Sequence, residues 1–402
     1  MMSTDGRPIL TRSAFAWLWL FVFTIPMAQA TEIPMISAIS RLMGLAAMAA
    51  GVIAVVARRR VRFPGPLHMA MAGFILWSAV TLCWSTAPEL TLQRVATYLQ
   101  LFVLVLLVWE LCVEEKDILA ILRALVLGSM IPAVATLKAF LPGQQALLQR
   151  AATEGYDPNQ LAFLLALSLP AAYYLILREK GALVSLYRLQ MGFAVCAILL
   201  TGSASAIIGM AAGLSLVGWT FHTVSIRTRT NAFVIVMLLA GAAIALIPSQ
   251  AWQGVSEGAR KGDLTLTAVM NKGIDSVHRA PIGGYGAGTR SGAKDPGEGA
   301  PTAFTMFAET GAIGVLWFIV AFGVLVSAAE RMRGIDQSFW FTSLAVWIVG
   351  VWSMNWDCSA PAWLMFGLLA AHSAWVRGEE VSKVEREQKR GYCFNEQPEV
   401  LW

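Results

Sequence analysis

Side chains that can transfer protons or bind anions are concentrated in the longest hydrophilic stretch of the sequence, residues 250–300. His278 is the imidazole of this stretch, and an imidazole exchanges protons near neutral pH. Arg260, Arg279 and Arg290 supply guanidinium groups, which bind phosphate through paired hydrogen bonds and stabilise a departing diphosphate. These residue types suit a phosphate-bearing ligand at a membrane surface. The alternative is an ordinary solvated loop.

One carboxylate, Glu309, lies inside the apolar run that follows this stretch, within Phe307-Ala308-Glu309-Thr310-Gly311. A carboxylate inside a membrane is costly unless it faces a polar cavity or a partner. Glu309 is therefore a candidate for orienting a substrate hydroxyl or for pairing with an arginine of the hydrophilic stretch. The alternative is a structural hydrogen bond between helices.

The composition defines the elements that must position these groups. Of 402 residues, 57% are apolar and 14% are charged, and the mean hydropathy is +0.62. A soluble domain carries about 25% charged residues, so a soluble enzyme is excluded. The apolar residues form continuous runs and do not alternate, which excludes a membrane β-barrel. The predicted fold class is an all-α, polytopic integral membrane protein.

About twelve apolar runs are long enough to span a membrane as helices. The run from 187 to 222 is broken only at Thr201-Gly202-Ser203 and is too long for one crossing, which predicts a tight reversal there. Gly209 and Gly213 then allow close packing of the eighth span. The predicted spans are 13–30, 35–57, 67–84, 95–113, 118–141, 158–177, 187–202, 204–222, 231–249, 301–328, 338–356 and 360–376.

The spans divide the chain into four parts. Residues 1–249 form a bundle of about nine spans, 250–300 form one long outer loop, 301–376 form the last three spans and 377–402 form a tail. A loop of this length is usually functional or disordered. Charges alternate along the tail, which predicts a solvated helix or a disordered end.

Basic residues are concentrated in alternate loops, which sets the orientation by the positive-inside rule. The opposite short loops hold Arg94 and Arg150 alone. Both termini are therefore predicted to be cytoplasmic and the loop 250–300 to lie outside. The basic positions assigned to the cytoplasmic side are Arg58, Arg59, Arg60, Arg62, Arg178, Lys180, Arg188, Arg227, Arg229, Arg331, Arg333 and the tail.

Several tryptophans lie near the predicted outer interface. They are Trp84, Trp252, Trp352, Trp356 and Trp363. Tryptophan is enriched where the bilayer meets water, because its ring is amphipathic. We expect these residues to form an interfacial belt.

The sequence disfavours several other functions. It contains no Walker-type loop or dinucleotide-binding glycine motif, which argues against an ATP-driven pump. The spans carry few charges, with Glu110 and Arg123 the nearest approaches, which argues against a proton-coupled carrier. Five scattered cysteines and four scattered histidines indicate no metal site. The net charge of +5 reflects topology and not nucleic-acid binding.

The order of four motifs resembles the O-antigen ligase and polysaccharide polymerase superfamily. The motifs fall around the long outer loop, across about 150–330, and the plan of roughly 12 spans fits along the whole chain. They are Asp157-Pro158-Asn159-Gln160-Leu161-Ala162, Leu200-Thr201-Gly202-Ser203, Pro281-Ile282-Gly283-Gly284-Tyr285-Gly286 and Phe307-Ala308-Glu309-Thr310-Gly311-Ala312-Ile313-Gly314.

The resemblance implies glycosyl transfer on the outer face of the bacterial inner membrane. The donor would be a polyprenyl-diphosphate-linked oligosaccharide, and the product a longer surface polysaccharide (polymerase) or a glycan joined to a lipid core (ligase). It implies membrane lipid and other polysaccharide assembly or chain-length proteins as partners, and no cofactor, metal or nucleic acid. For such a reaction, the residue chemistry makes His278 and Glu309 the catalytic candidates. The candidates for substrate binding are Arg260, Arg279, Arg290, Asp157 and Asn159.

Three positions depart from the family pattern. Ala204 stands where an arginine usually follows Thr-Gly-Ser, Leu266 stands near the position of a second arginine, and Ala300-Pro301-Thr302-Ala303 replaces a stretch with histidine. Two hypotheses follow from these departures. Either Arg260, His278, Arg279 and Arg290 take over these roles, or the chain is a non-catalytic or transport-related component of polysaccharide export. An unrelated permease is the remaining alternative.

Overall fold

The computed structural model describes residues 8–28, 34–59, 61–139, 158–201, 203–219, 282–289, 302–354 and 356–395. All regular structure in these ranges is helical, and they contain no strand. The all-α prediction is confirmed for this part of the chain.

The described residues form eleven α-helices and one short 3₁₀ turn, Thr81–Cys83. Each predicted span has a matching helix except 231–249, which lies outside the described residues. The helices are α1 (Ile9–Ala28), α2 (Pro34–Arg58), α3 (Pro66–Val80), α4 (Pro88–Leu111), α5 (Glu115–Ala139), α6 (Pro158–Arg178), α7 (Ala182–Thr201), α8 (Ala204–Trp219), α9 (Thr302–Glu330), α10 (Ile335–Ser353) and α11 (Ala360–Asn395).

The sequence marks where several helices begin. α2, α3, α4 and α6 each begin at a proline, a residue whose fixed φ and missing N–H suit the first helical position. The carboxylate of Asp117 accepts hydrogen bonds from the N–H groups of Val113 and Glu114, at 3.1 and 3.0 Å. It thereby satisfies free backbone donors beside the start of α5.

Among the described residues, eight helices, α1 to α7 and α9, are long and apolar enough to cross a membrane. α8 is equally apolar but shorter. The arrangement is therefore that of a multi-pass helical membrane protein.

Helix α6 is the centre of the bundle and packs against α5, α7, α8 and α10. It is apolar around its whole circumference, as expected of a helix that is enclosed on all sides. Among its buried residues are Leu161, Phe163, Leu165, Leu167, Leu169, Tyr174 and Leu175.

The predicted reversal after Thr201 is confirmed, since α7 ends there and α8 begins at Ala204. Along α8, Gly209 lies against Phe163 and Gly213 lies against Ala166 and Pro170 of α6, so α8 runs parallel to α6. A Cβ on Gly213 would approach the carbonyl oxygen of Ala166 to 3.1 Å. The predicted close packing through Gly209 and Gly213 is therefore confirmed.

The bundle has two polar ends. At the first, the Glu309 end, the start of α9 meets the end of α10: the N–H of Thr302 donates to the carbonyl of Met354 at 3.0 Å. At the second, the Asp336 end, the carboxylate of Asp336 in α10 accepts hydrogen bonds from Tyr174 and Arg178 of α6. Arg178 also pairs with Glu115 of α5 at 3.3 Å.

The tryptophan belt is only partly as predicted, and Trp252 lies outside the described residues. Trp84 and Trp352 are 42% and 59% exposed, as an interfacial position requires, but Trp356 and Trp363 are buried. For these two the prediction is wrong. Trp356 packs against Phe163, and the indole of Trp363 donates to the carbonyl of Asp357 at 2.6 Å.

Candidate functional site

Residues 282–289, here called the strap, lie against a break in α9. Gly311 has φ 66° and ψ −170°, which interrupts the helix. Carbonyls in the preceding turn therefore lack their usual partners along the helix. The strap supplies replacements: the N–H of Tyr285 donates to the carbonyl of Ala308, and the N–H of Gly286 donates to that of Glu309, both at 2.9 Å.

Two glycines make this close contact possible. Gly284 and Gly311 both have positive φ, 68° and 66°, a conformation that side chains disfavour. A Cβ on Gly284 would collide with the carbonyl of Glu309, and a Cβ on Gly311 would collide with the carbonyl of Ile282. The backbones of the strap and α9 therefore meet only because both residues lack side chains.

The opposite side of the strap is bound by the segment that joins α3 to α4. The indole of Trp84 donates to the carbonyl of Gly284 at 3.2 Å, and the N–H of Thr86 donates to that of Tyr285 at 3.1 Å. The N–H of Ala287 donates to the hydroxyl of Thr81 at 3.1 Å. The strap thus connects α3 and α4 to α9.

Glu309 lies under the strap and is 2% exposed. Its Oε2 accepts a hydrogen bond from the N–H of Gly288 at 2.7 Å. A carboxylate that accepts backbone N–H groups is stabilised where it would otherwise be costly to bury. The geometry most directly supports a structural role for Glu309, in which its carboxylate holds the strap in place. The catalytic role predicted from the sequence stays a prediction.

A buried ion pair lies beside Glu309. Gly288 packs on the side chain of Arg94, and Nη1 of Arg94 lies 3.1 Å from Oδ2 of Asp357. The two side chains are 14% and 5% exposed. The hydroxyl of Tyr98 also donates to Oδ2 of Asp357, at 2.5 Å. We call Arg94, Tyr98, Glu309 and Asp357 the ionic cluster.

Cys358, in the segment between α10 and α11, contacts Arg94 through its sulfur. Burial raises the pKa of the Cys358 thiol well above its ordinary value. The thiol is therefore protonated at neutral pH, because a buried thiolate would be poorly solvated.

The structure describes two of the seven predicted site residues. Glu309 belongs to the ionic cluster, and Asn159 is half-buried in the first turn of α6. Asp157, Arg260, His278, Arg279 and Arg290 lie outside the described residues. Within the described ranges, no group of three or more His, Cys, Asp or Glu side chains is placed to hold a metal ion.

Sequence reasoning missed the pairing of Arg94 with Asp357. The two residues are 263 positions apart, and each lies directly outside a predicted span. The sequence did contain a signal for this pairing. Arg94 and Asp357 carry opposite charges, and the predicted topology places both on the same side of the membrane, each next to a span. A charge that is buried there needs a partner.

The fold and the ionic cluster define a multi-pass helical membrane protein in which the strap is fixed over a buried carboxylate at one end of the bundle. No model of a known protein family matches the chain, and no curated protein matches it.

Proposed function

We propose that the chain transfers a glycan from a polyprenyl-diphosphate carrier and thereby polymerises a surface polysaccharide on the outer face of a bacterial inner membrane. One observation carries the proposal. Two of the motifs that resemble the polysaccharide polymerase superfamily, residues 282–286 and Phe307–Gly314, interlock through the backbone hydrogen bonds of Tyr285 and Gly286. Segments that are separate in sequence therefore pack together next to a buried ionic cluster.

In the proposed reaction an acceptor hydroxyl oxygen forms a bond to the anomeric carbon of the donor sugar. The bond from that carbon to the diphosphate oxygen breaks, and the lipid diphosphate leaves with the electron pair. His278 takes the proton of the hydroxyl. Arg260, Arg279 and Arg290 bind the diphosphate.

The remaining predicted residues have supporting roles in this proposal. Asp157 and Asn159 contact the glycan at the start of α6. Glu309 fixes the strap by accepting the N–H of Gly288. The proposed glycosyl transfer needs no cofactor or metal. The partners are the lipid-linked oligosaccharide, membrane lipid and other polysaccharide assembly or chain-length proteins.

We also propose that the chain has the twelve-span topology, with both termini in the cytoplasm. α8 begins at the Glu309 end and runs away from it, whereas α9 begins again at the Glu309 end. A crossing between them, such as the predicted span 231–249, fits this arrangement. The loop 250–300 would then lie at the Glu309 end, on the outer face.

A second candidate is a non-catalytic or transport-related component of polysaccharide export. This function is favoured because the charged groups of the ionic cluster already bind other groups of the protein. Glu309 accepts the N–H of Gly288, and Arg94 pairs with Asp357. An O-antigen ligase is the closest alternative within the enzyme class.

The test is the profile of lipid-linked and surface glycans in the source cells with and without the gene. Accumulation of single lipid-linked repeats and loss of long chains is the expected result. Long chains retained on the lipid carrier would indicate a ligase. An unchanged profile would contradict both enzyme functions and favour the non-catalytic one.

Point variants test the assigned residues. Arg279→Ala and Arg290→Ala should each lower glycan transfer by about tenfold or more, because each removes a cation from the departing diphosphate. The variants must insert and accumulate like the parent chain. Unchanged transfer in both single variants and in the double variant would remove these residues from the mechanism.

A further inference from the structure

A groove of about 280 Å³ opens at the Asp336 end, where α3, α9 and α11 meet. Its deeper wall is apolar and includes Leu67, Val324 and Leu325. Val320, also in the wall, is 42% exposed on the outer surface of α9, where the lipid chains would lie. The groove is therefore continuous with the part of the bundle that faces the bilayer.

The rim of the groove is basic. Arg331, directly after α9, and Arg377, in α11, both line it, and no acidic side chain does so among the described residues. Neither arginine forms an ion pair within the described part of the chain, while Arg377 donates from Nε to the carbonyl of Ser373 at 3.3 Å. Two cations at the water-facing edge of an apolar groove form an anion-attracting rim.

The polar side chains in the wall add hydrogen-bond donors. Nδ1 of His68 accepts the N–H of Gly65 at 3.1 Å, so in the neutral ring the hydrogen is on Nε2. Nε2 of His68 and Nε1 of Trp109 are both buried without an acceptor in the described structure. Both unmatched groups lie beneath the groove surface and are donors, so they place no acceptor oxygen or nitrogen there that would repel an anion.

We propose that this groove binds the headgroup of an anionic phospholipid from the leaflet at the Asp336 end. The phosphate would lie between Arg331 and Arg377, and one acyl chain would follow the apolar wall past Val324. The phosphate oxygens match the basic rim, and the acyl chain matches the apolar wall. A zwitterionic lipid would be disfavoured, because its cationic group would meet the same arginines.

The test is lipid binding by the purified full-length chain in detergent, followed by native mass spectrometry. Phosphatidylglycerol should bind with an apparent Kd about tenfold or more below that of phosphatidylcholine, since each arginine near a lipid phosphate contributes measurably to the attraction. The variant Arg331→Gln with Arg377→Gln should lose this preference. Both residues are exposed, so their replacement should leave folding intact.

Arg333→Gln is the matched control, because Arg333 is exposed two residues away but does not line the groove. It should keep the preference for phosphatidylglycerol. Equal binding of the two lipids, or an unchanged preference in the double variant, would overturn the proposal. Displacement of the lipid by excess inorganic phosphate would also overturn it, in favour of a site for a free anion.

Discussion

At the scale of single residues, the ionic cluster shows what a buried ion pair requires. Removing two charges from water costs more than their attraction returns unless other hydrogen bonds complete the site. Asp357 has such bonds, because the hydroxyl of Tyr98 and a nitrogen of Arg94 both donate to its carboxylate. The carbonyl of the same residue accepts the indole N–H of Trp363.

Replacing Asp357 by Asn should destabilise the protein by about 3 kcal/mol, because Arg94 is left buried without its counter-ion. The measurement is thermal or denaturant unfolding of the purified protein in detergent. Glu114→Gln is the control, since the pair of Glu114 with Lys116 is about half exposed and should cost less than about 1 kcal/mol. Equal stability of Asp357→Asn and the parent would show that the pair contributes little.

Substitutions of Glu309 can distinguish a structural role of its carboxylate from a catalytic one. Glu309→Gln keeps an oxygen that can accept the N–H of Gly288, so glycan transfer should fall by less than about tenfold. Glu309→Ala leaves that N–H without an acceptor, which should cost about 1–3 kcal/mol of stability. A loss of transfer of about a hundredfold in Glu309→Gln, at normal protein levels, would instead indicate acid–base catalysis.

At the scale of elements, the Glu309 end is organised by the break in α9. An unbroken helix would satisfy its own carbonyls and leave the strap without partners. The break at Gly311 exposes carbonyls that the strap then binds. The interruption of one helix thus determines where a segment from elsewhere in the chain is fixed.

Gly284→Ala should displace the strap from α9. The new Cβ would collide with the carbonyl of Glu309, and alanine disfavours the positive φ of this position. We expect a loss of about 2 kcal/mol or more, with faster hydrogen exchange of the strap than in the parent chain.

Gly218→Ala is the control for this substitution, because no atom lies within 4 Å of a Cβ at that position of α8. It should be neutral or slightly stabilising, since alanine favours a helix more than glycine does. Equal exchange rates of the strap in Gly284→Ala and the parent would show that the backbone contact is not what fixes it.

At the scale of the whole molecule, the two ends of the bundle differ in charge. The described segments that join α2 to α3, α6 to α7 and α9 to α10 carry Arg59, Arg62, Lys180, Arg331 and Arg333. The described residues that join α3 to α4 and α10 to α11 carry no basic residue. By the positive-inside rule this difference favours the proposed orientation, in which the Asp336 end faces the cytoplasm.

Thiol labelling of spheroplasts tests this orientation. Cys83 is exposed at the Glu309 end and should react with a membrane-impermeant maleimide in intact spheroplasts. Lys180→Cys, in a chain whose other cysteines are replaced by serine, should react only after lysis, because it lies at the Asp336 end. The reverse pattern would contradict the orientation, and with it an outer position for the ionic cluster.

The sequence by itself determined the helical class, the reversal after Thr201 and the close packing of α8, because each depends on local properties. Apolar run length defines a helix that can cross a membrane, and small residues define where two helices approach. Glu309 could be singled out in the same way, since a carboxylate in an apolar run is costly wherever it lies.

The tertiary structure alone decided which groups meet. Arg94 and Asp357 are 263 positions apart, and no local pattern records which helix ends become neighbours. Trp356 and Trp363 have the same local pattern as interfacial tryptophans, yet packing against α6 and α4 buries them. The partner of Glu309 was likewise undetermined, because a buried charge requires a partner but its own sequence context does not specify which one.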